Sequence, residues 1–587
     1  MATIAEALAA AFDYHRAGRL AEAEVLYTRI LDADPEAADA AHLLGVLYAQ
    51  AGHPQPALAL LKRAVTLRPE AASPNSNLGN ALRVLGRTEA AVAAYARAVR
   101  LDPFLADAYA NRAGALKHLR RAAAALPLAK RALAVAPDHA EALVALAESH
   151  AGVGQADAGA AAARRAAALR PDLAAAWLAL GNAAAAGQRW AEAEAAYRAA
   201  LDRAPNLVEA HENLGLVLVK QGREEEALDL LDAAGRLRPE RPLWRARATA
   251  LLALGRARDA AESYAREMEF HPADAGLHWN RAFALLLAGD MAEGWEEFEW
   301  RRNDDNAQPP WRPFPQPTWR GEDVQGRTLL LYAEQGLGDT IQFLRYVPMV
   351  AARGARIVLE VQPPLLPLLE GFPGVARVIG RGEPLPDFDL ECPLMSLPRV
   401  FGTRVDSIPA DVPYLRPDPA RAAAWRERLL RHNGGEGPKV GLVWAGNPRF
   451  QADDLRSPRL SGLRAVLDVP GVRWFGLQMG DGRQDLERVP VPDGFTDLGG
   501  AIGDFADTAA IMANLDLVVS SCTSVAHLAG ALGVPVWVAL PFAPDWRWLL
   551  GRDDSPWYPT ARLFRQERVG DWTGVARRIA AALAEMA

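Results

Sequence analysis

One stretch of this chain gathers side chains that could hold an anion. Residues 515–540 read Leu-Asp-Leu-Val-Val-Ser-Ser-Cys-Thr-Ser-Val-Ala-His-Leu-Ala-Gly-Ala-Leu-Gly-Val-Pro-Val-Trp-Val-Ala-Leu. The apolar run 517–519 has the character of a buried strand, and 520–523 are small, mostly hydroxylic turn residues. Residues 524–532 follow as a helix capped by Gly533, and 534–540 as a second buried strand. The spacing therefore predicts one βαβ unit. Ser521, Thr523 and Ser524 stand at the start of its helix, where free N–H groups and the helix dipole attract negative charge. His527, in the first helical turn, could face the same anion. A plain crossover with a capped helix leaves the same pattern. A second place is the turn Glu334-Gln335-Gly336-Leu337-Gly338-Asp339, between an apolar run at 328–333 and a helical stretch at 340–352. Gly336 and Gly338 there let backbone come close to a ligand, although one Gly-x-Gly pair is weak evidence for a nucleotide.

These two places sit in a region where strands alternate with helices. From Arg327 onward, strands at 356–361 and 388–392 complete a first lobe, 326–418. A helix at 419–432 and the loop 433–437 form a connection, 419–437. The second lobe, 438–587, has strands at 439–444 and 472–477, a helix at 504–516, the βαβ unit and a last helix at 571–585. Two such lobes create a cleft at the C-terminal ends of their strands, where ligands bind in open α/β folds. Ahead of them, residues 303–325 carry five prolines within Gln-Pro-Pro-Trp-Arg-Pro-Phe-Pro-Gln-Pro-Thr-Trp. That composition predicts an extended linker, packed by Trp311, Phe314 and Trp319.

Residues 1–302 follow a different rule. Pro35, Pro69, Pro103, Pro137, Pro171, Pro205 and Pro239 recur every 34 residues, with Pro272 after 33. Gly45, Gly79, Gly181 and Gly215 hold one position of the frame, and Ala23, Ala57, Ala91, Ala125, Ala193, Ala227 and Ala260 another. Tyr27, Tyr95, Tyr197 and Tyr264 hold a third, with the aromatic expected to fill the gap to the next unit. The pattern resembles the tetratricopeptide repeat, with about nine units over 4–302, the last ending in Gly-Trp-Glu-Glu-Phe-Glu-Trp-Arg. Such an array is an α-solenoid whose first helices line a groove. Asn77, Asn111, Asn213 and Asn280 share the sixth position of the first helix, on the groove side. They resemble the asparagine ladder of protein O-GlcNAc transferases, where planar amides grip a peptide backbone. Leu43, Ala145, Ala179 and Ala246 interrupt the series, and scattered surface asparagines would look the same.

Bulk properties narrow the classes. The 587 residues are half hydrophobic, with a formal net charge of −7, which argues against a nucleic-acid partner. Cys392 and Cys522 are the only cysteines, which excludes a disulfide framework and a cysteine zinc site. No signal peptide and no run of ~20 apolar residues is apparent, so no integral membrane segment and a cytoplasmic place are expected.

Residues 326–587 resemble the heptosyltransferase-type (family 9) glycosyltransferases of the GT-B fold, and more closely the bacterial proteins that join this domain to tetratricopeptide repeats. The resemblance rests on Glu-Gln-Gly-Leu-Gly-Asp-Thr at 334–340, Gly-Leu-Val-Trp-Ala-Gly-Asn at 441–447, Arg-Ser at 456–457 and Leu-Gln at 477–478. It continues through Thr-Ser-Val-Ala-His-Leu-Ala-Gly-Ala-Leu-Gly at 523–533, Pro-Asp-Trp-Arg-Trp at 544–548 and Ser-Pro-Trp-Tyr-Pro at 555–559. Cys522 departs from the Asp that many relatives carry before the Thr. The resemblance implies an α-solenoid followed by an α/β GT-B fold of two Rossmann-like lobes. It implies sugar transfer from a nucleotide-sugar co-substrate to an acceptor hydroxyl, without a catalytic metal or other cofactor. Asp339 is then the candidate base, with an N-capping role as its plain alternative. Ser521, Thr523, Ser524, His527 and Arg456 would hold the diphosphate, and Gln478 would read the base. Arg456 could instead pair with Asp453 or Asp454. Trp546, Arg547 and Trp548 suit packing better than ligand contact. The layout also matches flagellin glycosyltransferases, which points to a protein or peptide acceptor in the groove and admits a nonulosonic acid donor. A repeat scaffold carrying an inactive transferase lobe, or a glycan or lipid transferase, are the alternatives.

Overall fold

The computed structural model describes residues 3–237, 243–303, 312–432, 436–448 and 453–586. Pro239 and Trp311 lie outside them, as do residues 433–435 of the connecting loop. The described residues contain eighteen helices between Ile4 and Phe298, then two parallel sheets. The chain divides into two compact units, 1–243 and 244–587. The division therefore falls inside the repeat array and not at the proline-rich linker.

In the first unit, small residues decide the packing. Ala23, Ala57, Ala91, Ala125, Ala193 and Ala227 are all fully buried. A Cβ on Gly79 would lie 2.5 Å from Tyr95 Cε1, and one on Gly181 would lie 2.4 Å from Tyr197 Cε1. Each tyrosine thus covers the glycine of its own helix pair, and Tyr95 also shares a buried cluster with Leu58 and Ala115 of the adjacent repeats, as an aromatic filling the gap between units should. Its hydroxyl donates to an asparagine on the same partner helix, Tyr95 to Asn80 at 2.7 Å and Tyr197 to Asn182 at 2.8 Å.

The second unit holds the helices from Trp244 to Phe298 and both sheets. Its strands are β1 (Thr328–Tyr332), β2 (Arg356–Val361), β3 (Val375–Gly380), β4 (Leu390–Pro393), β5 (Lys439–Val443), β6 (Arg473–Gly476), β7 (Thr496–Asp497), β8 (Leu517–Ser521), β9 (Val536–Leu540) and β10 (Ala561–Arg565). The first sheet runs β3-β2-β1-β4 and the second β10-β9-β8-β5-β6-β7, every pairing parallel. The near-continuous apolar runs of β1, β2, β8 and β9 fit strands covered on both faces. Strand order reverses between β1 and β4 and between β5 and β8, the switch points where an open parallel sheet leaves a crevice at its C-terminal edge.

One apolar cluster crosses the second unit, from Ala257, Trp295 and Phe298 through Trp319 to Trp546, Trp548 and Trp557. Trp319 is fully buried and donates to Glu322 O at 2.8 Å. Phe314 packs edge-on against Tyr332 and Phe388, at 5.3 and 5.6 Å.

Candidate functional site

Asp339 stands in the turn that leaves β1 at the first switch point. Its Oδ2 accepts from Gly336 N at 2.7 Å, so the carboxylate caps the helix Leu337–Phe343. Its Oδ1 accepts from Arg547 Nη2 at 2.5 Å, across 208 residues of sequence. The side chains are 21% and 8% exposed, so Asp339 keeps an open side while Arg547 is sunk. Arg547 Nε donates to Gln342 Oε1 at 2.6 Å, Nη1 donates to Asp545 Oδ1 at 2.9 Å, and its guanidinium lies 4.1 Å over the Trp546 ring. One cation is shared by two carboxylates. Burial pushes the Asp339 carboxyl above its ordinary range, and Arg547 offsets part of that.

His527 is buried behind this pair. Its Nδ1 lies 2.9 Å from Tyr558 Oη, and its ring stacks on Trp548 at 5.4 Å. Burial, then the positive charges of Arg547, Arg345 and Arg456, hold its pKa well below the ordinary value. The ring is therefore neutral, so it meets an anion as an N–H donor and not as a cation. The ring nitrogen that is not the acceptor carries that N–H. A Cβ on Gly338 would come 3.0 Å from His527 Cδ2 and 3.3 Å from Ser524 Cα. The glycine allows the close approach of the Asp339 turn to the helix Ser524–Ala531. Gly336 is exposed and gives its N–H to Asp339.

The hydroxyls before that helix are only partly committed. Ser520 Oγ donates to Ser521 O at 2.8 Å and lies 3.3 Å from Thr523 Oγ1. Ser521 is fully buried and its Oγ has no hydrogen-bond partner. Thr523 is the N-cap residue, yet its side chain makes no capping bond, and Ser524 is half-buried. Cys522, at the departure from the resembling family, accepts from Trp548 Nε1 at 3.0 Å. A sulfur there serves indole packing and adds no charge.

Arg456 Nε donates to Asp453 Oδ1 at 3.1 Å, the ion pair that the sequence offered as its plain alternative. The Asp454 side chain lies outside what is described. Gln478 requires a correction. Its Oε1 accepts from Trp444 N and Ala445 N at 3.0 and 2.9 Å, and its Nε2 donates to Ala445 O and Met479 O at 3.1 and 3.0 Å. An amide has two donors and two acceptor positions, so none remains to read a base. Gln478 instead fixes the backbone that leaves β5.

The asparagine series is half-buried throughout. In the first unit, Asn77 Nδ2 pairs with His42 Nε2 and Asn213 Nδ2 with Asn182 Oδ1, both at 2.8 Å, and Asn111 holds the equivalent position. Asn280 belongs to the second unit. Two of the four thus spend a donor on the preceding repeat.

Sequence reasoning missed Arg547 as a partner of Asp339. The available signal was a lone Arg between two tryptophans in Pro-Asp-Trp-Arg-Trp, since a cation among buried rings needs a carboxylate.

Comparison with known proteins follows from this arrangement. Tetratricopeptide-repeat models match residues 14–65, 79–119, 144–208 and 178–242. Protein FlbA of Caulobacter vibrioides is 31% identical over 444 residues, spanning 65% of this chain and 73% of FlbA. The chain belongs to the FlbA family. Among solved structures, MamA is 24% identical over 27% of this chain and 94% of its own, with a TM-score of 0.26. A tetratricopeptide-repeat protein of Parabacteroides merdae is 18% identical over 39% of this chain and 91% of its own, with a TM-score of 0.33. No described helix of this FlbA-family chain is long and apolar enough to cross a membrane.

Proposed function

We propose that this protein is a GT-B glycosyltransferase that moves a sugar from a nucleotide sugar to a hydroxyl of a protein acceptor chosen by the repeats. The Asp339–Arg547 pair carries this reading: a carboxylate 21% exposed and raised by burial, at the C-terminal end of a parallel-sheet strand and beside a helix start with the unpartnered Ser521 hydroxyl. In this reading Asp339 takes the acceptor proton as the acceptor oxygen bonds to the anomeric carbon. The bond from that carbon to the diphosphate breaks, and the diphosphate leaves with the electron pair. Arg547 holds Asp339 in place and adds positive charge. Backbone N–H groups at Thr523 and Ser524, the Ser521 hydroxyl and the neutral His527 meet the leaving oxygens, with Arg456 as a nearby cation. Repeats that mediate protein interaction support a polypeptide acceptor. Grip of that acceptor by Asn77, Asn111 and Asn213 of the first unit raises its local concentration.

A second reading, a repeat scaffold with an inactive lobe pair, draws on one observation: both Asp339 oxygens are already engaged. One experiment separates the two. The purified full chain is incubated in EDTA with a panel of nucleotide sugars and host surface proteins, and products are weighed by mass spectrometry. Transfer that is lost in Asp339→Asn supports the enzyme. Binding of the host protein without transfer from any donor supports the scaffold. An Asn77→Ala, Asn111→Ala, Asn213→Ala variant should lower transfer at limiting acceptor by about 10-fold or more while leaving donor hydrolysis by water unchanged, because water needs no groove.

A further inference from the structure

The last repeat ends in Gly-Trp-Glu-Glu-Phe-Glu-Trp-Arg, a sequence that acceptor choice alone does not explain. The helix Met291–Phe298 and the 3₁₀ turn Glu299–Asn303 that continues it reach two other segments. Arg301 is 5% exposed and grips Glu334 with both arms, Nη2 to Oε1 at 2.8 Å and Nε to Oε2 at 3.2 Å. Its other bonds go to Glu299 Oε1, Phe298 O and Ser396 Oγ, at 2.8, 3.0 and 2.8 Å. Glu334 begins the turn that ends in Asp339. On the second segment, the Trp295 ring meets the Trp546 ring edge-on at 5.3 Å, and Trp546 lies directly under the Arg547 guanidinium. Trp295 is itself tied down, donating to Thr403 O at 3.1 Å.

A buried bidentate pair fixes the plane of both partners and adds little net stability for doing so. Fixing geometry is therefore what Arg301 contributes. We propose that the last repeat is part of the candidate site, with Arg301 and Trp295 as positioning residues that hold Asp339 and Arg547 in register. This rests on the reading of Asp339 as the base. The groups that set the Asp339 charge are Arg547, Asp545 and Arg456 from the second lobe, the Gly336 N–H, and the neutral His527 across Gly338. Releasing the Glu334 end of the turn lets Asp339 drift from Arg547 and lose the partner that favours its ionised form.

The test uses the full chain as wild type, Arg301→Gln, Arg301→Lys and a control, Arg399→Gln. Arg399, in the short helix Leu397–Val400 of the first lobe, pairs with Glu296 of the last repeat at 2.8 Å and bonds neither Glu334 nor Trp546. Hydrogen exchange followed by mass spectrometry is read in peptides covering 334–340 and 545–548. Arg301→Gln should speed exchange in both peptides and leave β2 and β9 unchanged. Arg301→Lys, which keeps the charge but not the fork, should fall between. In turnover, kcat should drop about 10-fold or more with little change in donor KM, as for a misplaced catalytic group. The acid limb of the pH profile should move upward. A merely structural role would lower the active fraction without moving that limb. Unchanged exchange in both peptides, or faster exchange throughout the first sheet, overturns the proposal. If Arg301→Gln does not fold, Glu334→Gln is read by the same criteria, since it leaves Arg301 paired with Glu299. If the wild-type chain transfers no sugar, the functional reading falls, and the exchange data alone decide whether the repeat positions the turn.

Discussion

The two compact units are built on opposite principles. In the first, cores are small and local: the cluster around Tyr95 gathers Leu58, Leu82, Ala91, Ala94 and Ala115 from adjacent repeats. In the second, one cluster runs from Ala257 to Leu563 and is keyed by tryptophans that face each other from distant parts of the chain. An array of neighbour contacts gains stability unit by unit. A shared aromatic core couples everything that touches it. The candidate-site residues sit in the coupled unit, where a charge pair held within hydrogen-bond distance has support on both sides.

The largest expected effect attacks that coupling. Trp295→Ala should destabilise the second unit by about 3–5 kcal/mol, as loss of a fully buried aromatic does. Denaturant unfolding should show the sheets and the last repeats failing together. If the sheets keep their midpoint, the cluster is not one cooperative body.

Next comes Asp339→Asn. Turnover should fall about 10²-fold or more, the range for a lost general base, with the fold intact by circular dichroism. Near-normal turnover would leave Asp339 with its capping role alone.

A smaller effect probes the first unit. Gly181→Ala places a Cβ 2.4 Å from Tyr197 Cε1, so Tyr197 must move. The cost should be about 1–3 kcal/mol, typical of overpacking. Melting of the second unit, followed separately in residues 244–587 by hydrogen exchange, should not change. A change there would erase the contrast between local and shared cores.

The smallest effect is one of pH. Asp339 must be ionised to act as a base, and burial raises its pKa in the folded state. Activity should therefore be complete above the raised value and lost as pH falls through it. The acid limb of the kcat profile should lie above the ordinary carboxylate value of about 3.9. A limb at or below that value would mean that Arg547 outweighs burial.

Much of this molecule is legible in its sequence because the signals are local. The 34-residue period, the small residues at fixed places and the prolines after each helix mark helix pairs that pack chiefly on their neighbours in the chain. Ser521, Thr523 and Ser524 at a helix start, and Asp339 at a glycine turn, are likewise positions in a strand–turn–helix unit. What Gln478 does was not legible, because three of its four hydrogen bonds go to backbone groups of Trp444 and Ala445 that only the β5–β6 pairing brings beside it. The packing of Gly338 was not legible for the same reason, since its bare Cα faces His527 and Ser524, far away in sequence. The sequence by itself determined the periodic elements, their apolar faces and the residue types at each turn, since these depend on spacings of a few residues. Only the tertiary structure decided that Arg547 meets Asp339 across 208 residues and that Arg301 holds Glu334. Such charge pairs have no period. They form where the sheets and the last repeat converge, and burial there makes a carboxylate partner necessary for each cation.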